Sequence, residues 1–148
     1  MKEPPEDIFT KIVLEIFKVS GMLNSEGDMM AEEFGLSSAR WKIMGAIAQA
    51  DHLLTVSEIA RTVGQSRQAT QRLVDALKNG SLIELEENPN HKRAKFVILT
   101  KEGKQVFWKL WHKQLPWAAS GANALTKVEL YSTLSAMKKL STYFSNNK

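Results

Sequence analysis

The stretch from Thr55 to Asn79, TVSEIARTVGQSRQATQRLVDALKN, leaves this chain little freedom of fold. Thr55-Val56-Ser57-Glu58 has the T-x-x-E pattern of a capping box, in which hydroxyl and carboxylate each satisfy an orphan backbone amide. Leu54 and Ile59 flank it at the spacing of a hydrophobic staple. Val56, Ile59, Ala60 and Val63 then recur at helical spacing, so one stripe faces a core. Gly64 suits the left-handed residue that ends a helix, and Ser66 suits the N-cap of the next. In that second helix Thr70, Leu73, Val74 and Leu77 share a face, while Arg67, Gln68, Gln71 and Arg72 occupy the opposite one. Two helices, a glycine turn and a polar second helix spell a helix-turn-helix.

The residues C-terminal to the motif narrow it. Asn79-Gly80 is a helix stop, with Gly80 as the expected left-handed residue. Residues 82–87 and 95–99 read as short strands, and Asn88-Pro89-Asn90-His91-Lys92-Arg93-Ala94 between them holds turn formers and then cations. A helix-turn-helix with a basic hairpin behind it is a winged helix.

The flanks are helical. Pro4 and Pro5 end an extended leader, and Ile8, Phe9, Ile12, Val13, Ile16, Phe17 and Leu23 follow the three-four spacing of an amphipathic helix. Asn24 to Gly35 reads as weaker helix or loop. Ser37 or Ser38 can cap the next helix, with Trp41, Met44, Ile47 and Ala48 inward and Asp51-His52 at its close. Thr100 can cap a helix whose stripe is Val106, Phe107, Leu110, Trp111 and Leu115, and Pro116 is expected to kink or end it. Thr126-Lys127-Val128-Glu129 is a second capping box before a last helix lined by Leu130, Leu134, Met137, Leu140 and Phe144. The fold class is therefore mainly α with a small β-hairpin wing (α+β). A single domain over 1–148 is expected, with flanking helices at about 5–35 and 101–145 around a winged helix at about 37–100.

Composition removes alternatives. With no cysteine among 148 residues, disulfides, thiolate chemistry and cysteine zinc sites are excluded. No apolar run approaches the roughly 18 residues a bilayer span needs, and the acidic, proline-rich start lacks an export signal, so a soluble cytoplasmic protein is expected. His52, His91 and His112 are scattered, no Gly-rich phosphate loop or nucleophile elbow occurs, and neither enzyme activity, metal nor cofactor is expected. The net charge of +4 is unevenly spread. Residues 1–36 carry three Lys/Arg against eight Asp/Glu, residues 37–100 nine against six, and residues 101–148 eight against two. Cations on one helix and one loop of the middle segment fit a polyanion footprint.

The order of elements resembles the MarR family of bacterial transcriptional regulators over nearly the whole chain. The resemblance is carried by Leu36-Ser37-Ser38-Ala39-Arg40-Trp41, by Thr55-Val56-Ser57-Glu58-Ile59-Ala60, and by residues 70–77 and 91–103. It implies a dimeric DNA-binding regulator, a repressor relieved by a small aromatic or anionic effector, dimerised through its terminal helices. One departure stands out. The family's wing usually carries an aspartate two residues before its arginine, where this chain has His91 before Arg93. The acid helps to hold the arginine that enters the minor groove, so here that support is missing or His91 supplies a different contact.

The recognition helix can be argued from chemistry alone. A major groove admits one α-helix, and its base edges are read by bidentate Arg to guanine and Gln to adenine. Arg67, Gln68, Gln71 and Arg72, with Ser66 at the cap, are the candidate contacts; Arg93 is the minor-groove candidate, and Lys92 and Lys95 the phosphate contacts. One module reads few base pairs, so a homodimer on a pseudo-palindromic duplex is expected, with the surplus apolar stripes of residues 8–23 and 130–144 as its interface. Trp41, Trp108, Trp111 and Trp117 suit core packing better than effector walls, and no effector residue is assigned. The alternative is a winged helix used only for protein interaction, which has no need of cations gathered on one surface.

Overall fold

The computed structural model describes residues 3–147. Helix α1 (Pro5–Ala31) runs into a 3₁₀ turn (Glu32–Phe34), followed by α2 (Ser38–Gln49), strand β1 (Leu54–Thr55), α3 (Val56–Val63) and α4 (Arg67–Asn79). Strands β2 (Ile83–Glu86) and β3 (Phe96–Leu99) then lead to α5 (Lys101–Ala122) and α6 (Lys127–Asn146). Two compact units divide the chain, one ending at Leu110 and the other starting at Trp111.

In the first unit α2 is the central element. It packs on α1, α3, α4 and β3, which explains why Ile43 and Met44 are both fully buried. Trp41, Ile47 and Ala48 are only half-buried, so the helix turns a different edge inward than a single amphipathic stripe would. Ile59, Val74, Leu77, Ile83, Val97, Phe107 and Leu110 complete the core. The sheet has the order β1-β3-β2, all antiparallel. Leu54 pairs with Val97 and Ile83 with Leu99, which places these four buried side chains on one face by the two-residue period of a strand. Leu54, expected only as a staple, is thus also the start of a third strand.

The caps follow the sequence closely. Thr55 and Glu58 form both halves of the first capping box, and Thr126 and Glu129 both halves of the second. Ser37 caps α2 by accepting from the Arg40 amide at 3.3 Å. Gly64 closes α3 at φ 72°.

Two expectations are narrowed and one is corrected. Asn24 to Gly35, read as weaker helix or loop, is helical over most of its length: α1 continues to Ala31 and a 3₁₀ turn covers Glu32–Phe34. Its glycine and aspartate serve the next helix instead of a turn. A Cβ on Gly27 would stand 2.8 Å from Ser38 Cβ, and Asp28 Oδ1 accepts from the Ser38 amide at 2.7 Å. That hydrogen bond holds the Asp28 carboxyl below its ordinary range. Gly80 is not the left-handed residue; Ser81 is, at φ 62°. The amides of Ser81 and Leu82 donate to the carbonyls of Lys78 and Leu77, both at 3.0 Å, which is a Schellman pattern centred one residue later than the glycine. Pro116 does not end α5, which continues to Ala122. Proline lacks the amide that would bond four residues back, so one helical hydrogen bond is missing there.

Ser81 and Leu82 also anchor α5. Thr100 donates its hydroxyl to the Ser81 carbonyl at 2.7 Å and accepts from the Gly103 amide at 3.0 Å, while its own amide donates to the Leu82 carbonyl at 3.1 Å. A Cβ on Gly103 would lie 2.0 Å from the Leu82 oxygen. Glycine at 103 is therefore what lets α5 start against the end of α4. In the C-terminal unit, α6 buries no residue. Among the described residues no helix is long and apolar enough to cross a membrane.

Because the overlap at Gly103 is with backbone, Gly103→Ala is expected to destabilise the fold by about 3 kcal/mol. Urea unfolding followed by circular dichroism measures this. A midpoint equal to wild type contradicts the packing described here.

Candidate nucleic-acid interface

Helix α4 is two-sided. Thr70, Val74 and Leu77 are buried, and the Thr70 hydroxyl is satisfied by the Ser66 carbonyl at 2.9 Å. The back of the helix is held by α2, α3 and β2. With that face fixed, Arg67, Gln68 and Arg72 are exposed and Gln71 is half-buried. Ser66 is exposed and occupied as the N-cap, its oxygen accepting from the Ala69 amide at 3.1 Å. Its role is to start the helix, which leaves Arg67 and Gln68 in the first turn.

Gln71 is not idle. Its Nε2 donates to Asp75 Oδ1 at 2.9 Å, an i,i+4 pair. The amide nitrogen has two protons and the oxygen accepts no hydrogen bond among the described residues, so one donor and one acceptor remain. That is the pair an adenine edge requires in a major groove. Asp75 was not among the expected site residues, although the Gln–Asp spacing was there to read.

The wing is built around Asn88, which is buried. Its Nδ2 donates to the Ala94 carbonyl at 2.9 Å and its Oδ1 accepts from the Asn90 amide at 3.0 Å. The His91 amide donates to the Asn88 carbonyl at 3.1 Å. His91 Nδ1 accepts from the Ala94 amide at 3.1 Å, so His91 makes a contact within the turn. Lys92 and Arg93 are exposed and make no hydrogen bond or ion pair among the described residues. Lys95 lies 3.5 Å from Glu87 across the base of the hairpin, a solvated ion pair. Sequence reasoning missed Asn88, whose work depends on a carbonyl six residues away.

A second cluster stands at the entrance of α3. His52 Nδ1 is 2.6 Å from Asp51 Oδ1 and Nε2 is 3.5 Å from Glu58 Oε2. Glu58 also accepts from the Thr55 amide at 3.0 Å through its other oxygen. The hydrogen bond to Asp51 raises the His52 pKa, and the His52 bond lowers that of Asp51. The Thr55 amide is the main cause holding the Glu58 carboxyl below its ordinary range. No group of His, Asp and Glu among the described residues is arranged to hold a metal ion.

A MarR family model matches residues 34–94, which run from the end of the 3₁₀ turn through α2, β1, α3, α4 and β2 to the tip of the wing. An uncharacterized protein of Mycobacterium tuberculosis is 28% identical over 134 residues, covering 90% of this chain and 92% of its own. Among solved structures, a MarR/EmrR family transcriptional regulator from Acinetobacter superposes with a TM-score of 0.83 at 18% identity, over 94% of this chain and 98% of its own. The regulator CouR of Rhodococcus jostii, bound to p-coumaroyl-CoA, gives a TM-score of 0.78 at 15% identity, over 88% and 91%. At such identities the structural likeness is one of fold.

The His52 cluster ties the loop before β1 to the capping box of α3, and its stability contribution has a defined sign with pH. His52 is raised, so its share is complete below its ordinary value of about 6.5 and is lost as pH rises through the folded value. The carboxylates are lowered, so their share is lost as pH falls through the acid range. The melting-temperature gap between wild type and His52→Gln is expected to narrow between about pH 5.5 and about pH 8.5. A gap that widens over that interval, by scanning calorimetry, contradicts the assignment.

Proposed function

From the MarR family model that matches residues 34–94, we propose that this chain is a MarR family member: a dimeric, sequence-specific, double-stranded DNA-binding transcriptional regulator, cytoplasmic and acting as a repressor that a small molecule relieves. One observation carries the reading: α4 buries Thr70, Val74 and Leu77 and leaves Arg67, Gln68, Gln71 and Arg72 outward. In this proposal α4 lies in the major groove with Arg67, Arg72 and the two glutamines reading base edges. Ser66 caps the helix at the phosphate backbone, where its N-terminal amides suit an anion. Arg93 enters the minor groove from the wing, and Lys92 and Lys95 contact phosphates. The whole chain works as one functional domain, with the winged helix between dimerisation helices.

Dimerisation has physical support on each flank. Phe17 on α1 is 70% exposed and Val128 and Tyr131 on α6 are 75% and 67% exposed, alongside Ile12, Leu23, Leu134 and Phe144. Apolar surface of this extent is what a second copy of the chain would cover. A two-fold dimer would place its recognition helices about 34–36 Å apart, one turn of duplex.

An effector has a candidate place within the first unit. A cleft of about 360 Å³ is lined by Ile47, Leu53, Ile98 and Trp108 together with Lys104 and Glu86. Apolar walls that include an indole suit an aromatic ligand, with Lys104 as a partner for an anionic group on it, and p-coumaroyl-CoA, the molecule bound to CouR, carries an aromatic ring. Such a ligand acts by binding one spacing of the recognition helices better than another.

Selection from random duplexes is expected to enrich a pseudo-palindrome, and failure to enrich one favours a protein-interaction module instead. On the enriched duplex, Arg67→Ala or Gln71→Ala is expected to lose about 1–3 kcal/mol of specific binding by fluorescence anisotropy. Arg93→Ala is expected to lower the slope of log affinity against log salt by about one per wing. Unchanged affinity for both α4 variants removes that helix from the interface, and an unaltered slope removes the wing. Sedimentation of the free protein at micromolar concentration is expected to give a dimer, and a monomer contradicts the flank assignment.

A further inference from the structure

The wing holds a histidine whose two nitrogens are placed in different roles. The Ala94 amide donates to His91 Nδ1 at 3.1 Å and also to the His91 carbonyl at 3.3 Å. A backbone amide can only donate, so Nδ1 must carry a lone pair and not a proton. In the neutral ring the proton then sits on Nε2, on the side away from the turn. His91 is exposed, and Arg93, two residues on, is exposed as well.

We propose that His91 is a DNA-contacting residue of the wing: its Nδ1 fixes the turn that presents Arg93, and its Nε2–H donates a hydrogen bond to an acceptor on the DNA beneath the wing. A carboxylate at this position accepts from the same amide but has no proton to give, and its charge repels phosphates and neutralises the neighbouring arginine. Histidine keeps the acceptor, adds a donor and leaves the Arg93 charge whole. The buried Asn88 supports the arrangement independently, since it clamps both Asn90 and Ala94 and so fixes the backbone on each side of the ring. The turn is thus held by two side chains, of which only His91 reaches outward with a spare donor.

The DNA half of this inference rests on the regulator reading, and the test separates the two. Nitrogen chemical shifts of the His91 ring in the free protein are expected to show the Nε2-protonated tautomer, with the Ala94 amide protected from exchange. An Nδ1-protonated ring overturns the proposal whatever the protein binds. On the enriched duplex, replacing His91 with Nε2-methylhistidine removes the donor and keeps the acceptor. Affinity is expected to fall on the order of fivefold per wing while Ala94 protection is unchanged. His91→Asn, which retains one acceptor and one donor, is expected to recover most of that loss, whereas His91→Ala loses both the affinity and the protection. Equal affinity of wild type and the methylated protein overturns the contact while leaving the regulator reading intact. A wild-type protein that enriches no duplex overturns both.

Discussion

The burial of one face of α4 is the constraint on which the rest of this structure depends. Thr70, Val74 and Leu77 have nowhere to go but into the core formed with α2, α3 and β2. Truncating Val74 or Leu77 would cost on the order of 2–5 kcal/mol, a large share of the stability of a small domain. The orientation of the exposed face is therefore not adjustable. Arg67, Gln68 and Arg72 point outward because the opposite side is fixed, and Asp75 then limits the freedom of Gln71 by a hydrogen bond along the same face. Pre-ordering a long polar side chain in this way lowers the entropy cost of using it.

Both ends of α4 are tied as firmly as its back. At the front, Gly64 and Ser66 make the turn and the cap, and the His52–Glu58–Thr55 cluster fixes the helix that precedes it. At the rear, Ser81 adopts a left-handed conformation that costs a non-glycine residue about 1 kcal/mol. The Thr100 hydroxyl offsets that cost by bonding the Ser81 carbonyl, and Gly103 lets α5 approach the Leu82 carbonyl. The start of α5 is thus joined to the end of α4 by hydrogen bonds and close backbone contact. Lys104 and Trp108, which border the cleft, lie on the first turns of that same helix.

How far the sequence revealed this depends on the range of each interaction. Capping boxes, the Gly64 stop, the amphipathic back of α4 and the two hairpin strands all rest on residues within a turn or two of one another, and these were legible. The role of Gly27 and Asp28 was not, because they look like turn formers until Ser38 is brought against them. The left-handed residue fell on Ser81 and not Gly80 because the Thr100 hydroxyl, nineteen residues on, anchors the serine carbonyl. Strand β1 is two residues long and exists only through its pairing with β3. In the candidate interface the outward residues of α4 were identifiable by periodicity. Asn88 and the inward nitrogen of His91 were not, since both act on the backbone of Ala94 across the tip of the wing.

A fixed helix face, a clamped wing and uncovered apolar flanks are the features on which the proposed two-fold, DNA-reading arrangement rests. Methylation interference on the enriched duplex tests that arrangement most directly, because it separates the two grooves. Methylation at guanine N7, in the major groove, is expected to block binding in two patches about 34–36 Å apart. Methylation at adenine N3, in the minor groove, is expected to block it only on the outer flanks, beneath the wings. Binding that tolerates guanine N7 methylation throughout the duplex would contradict the placement of α4.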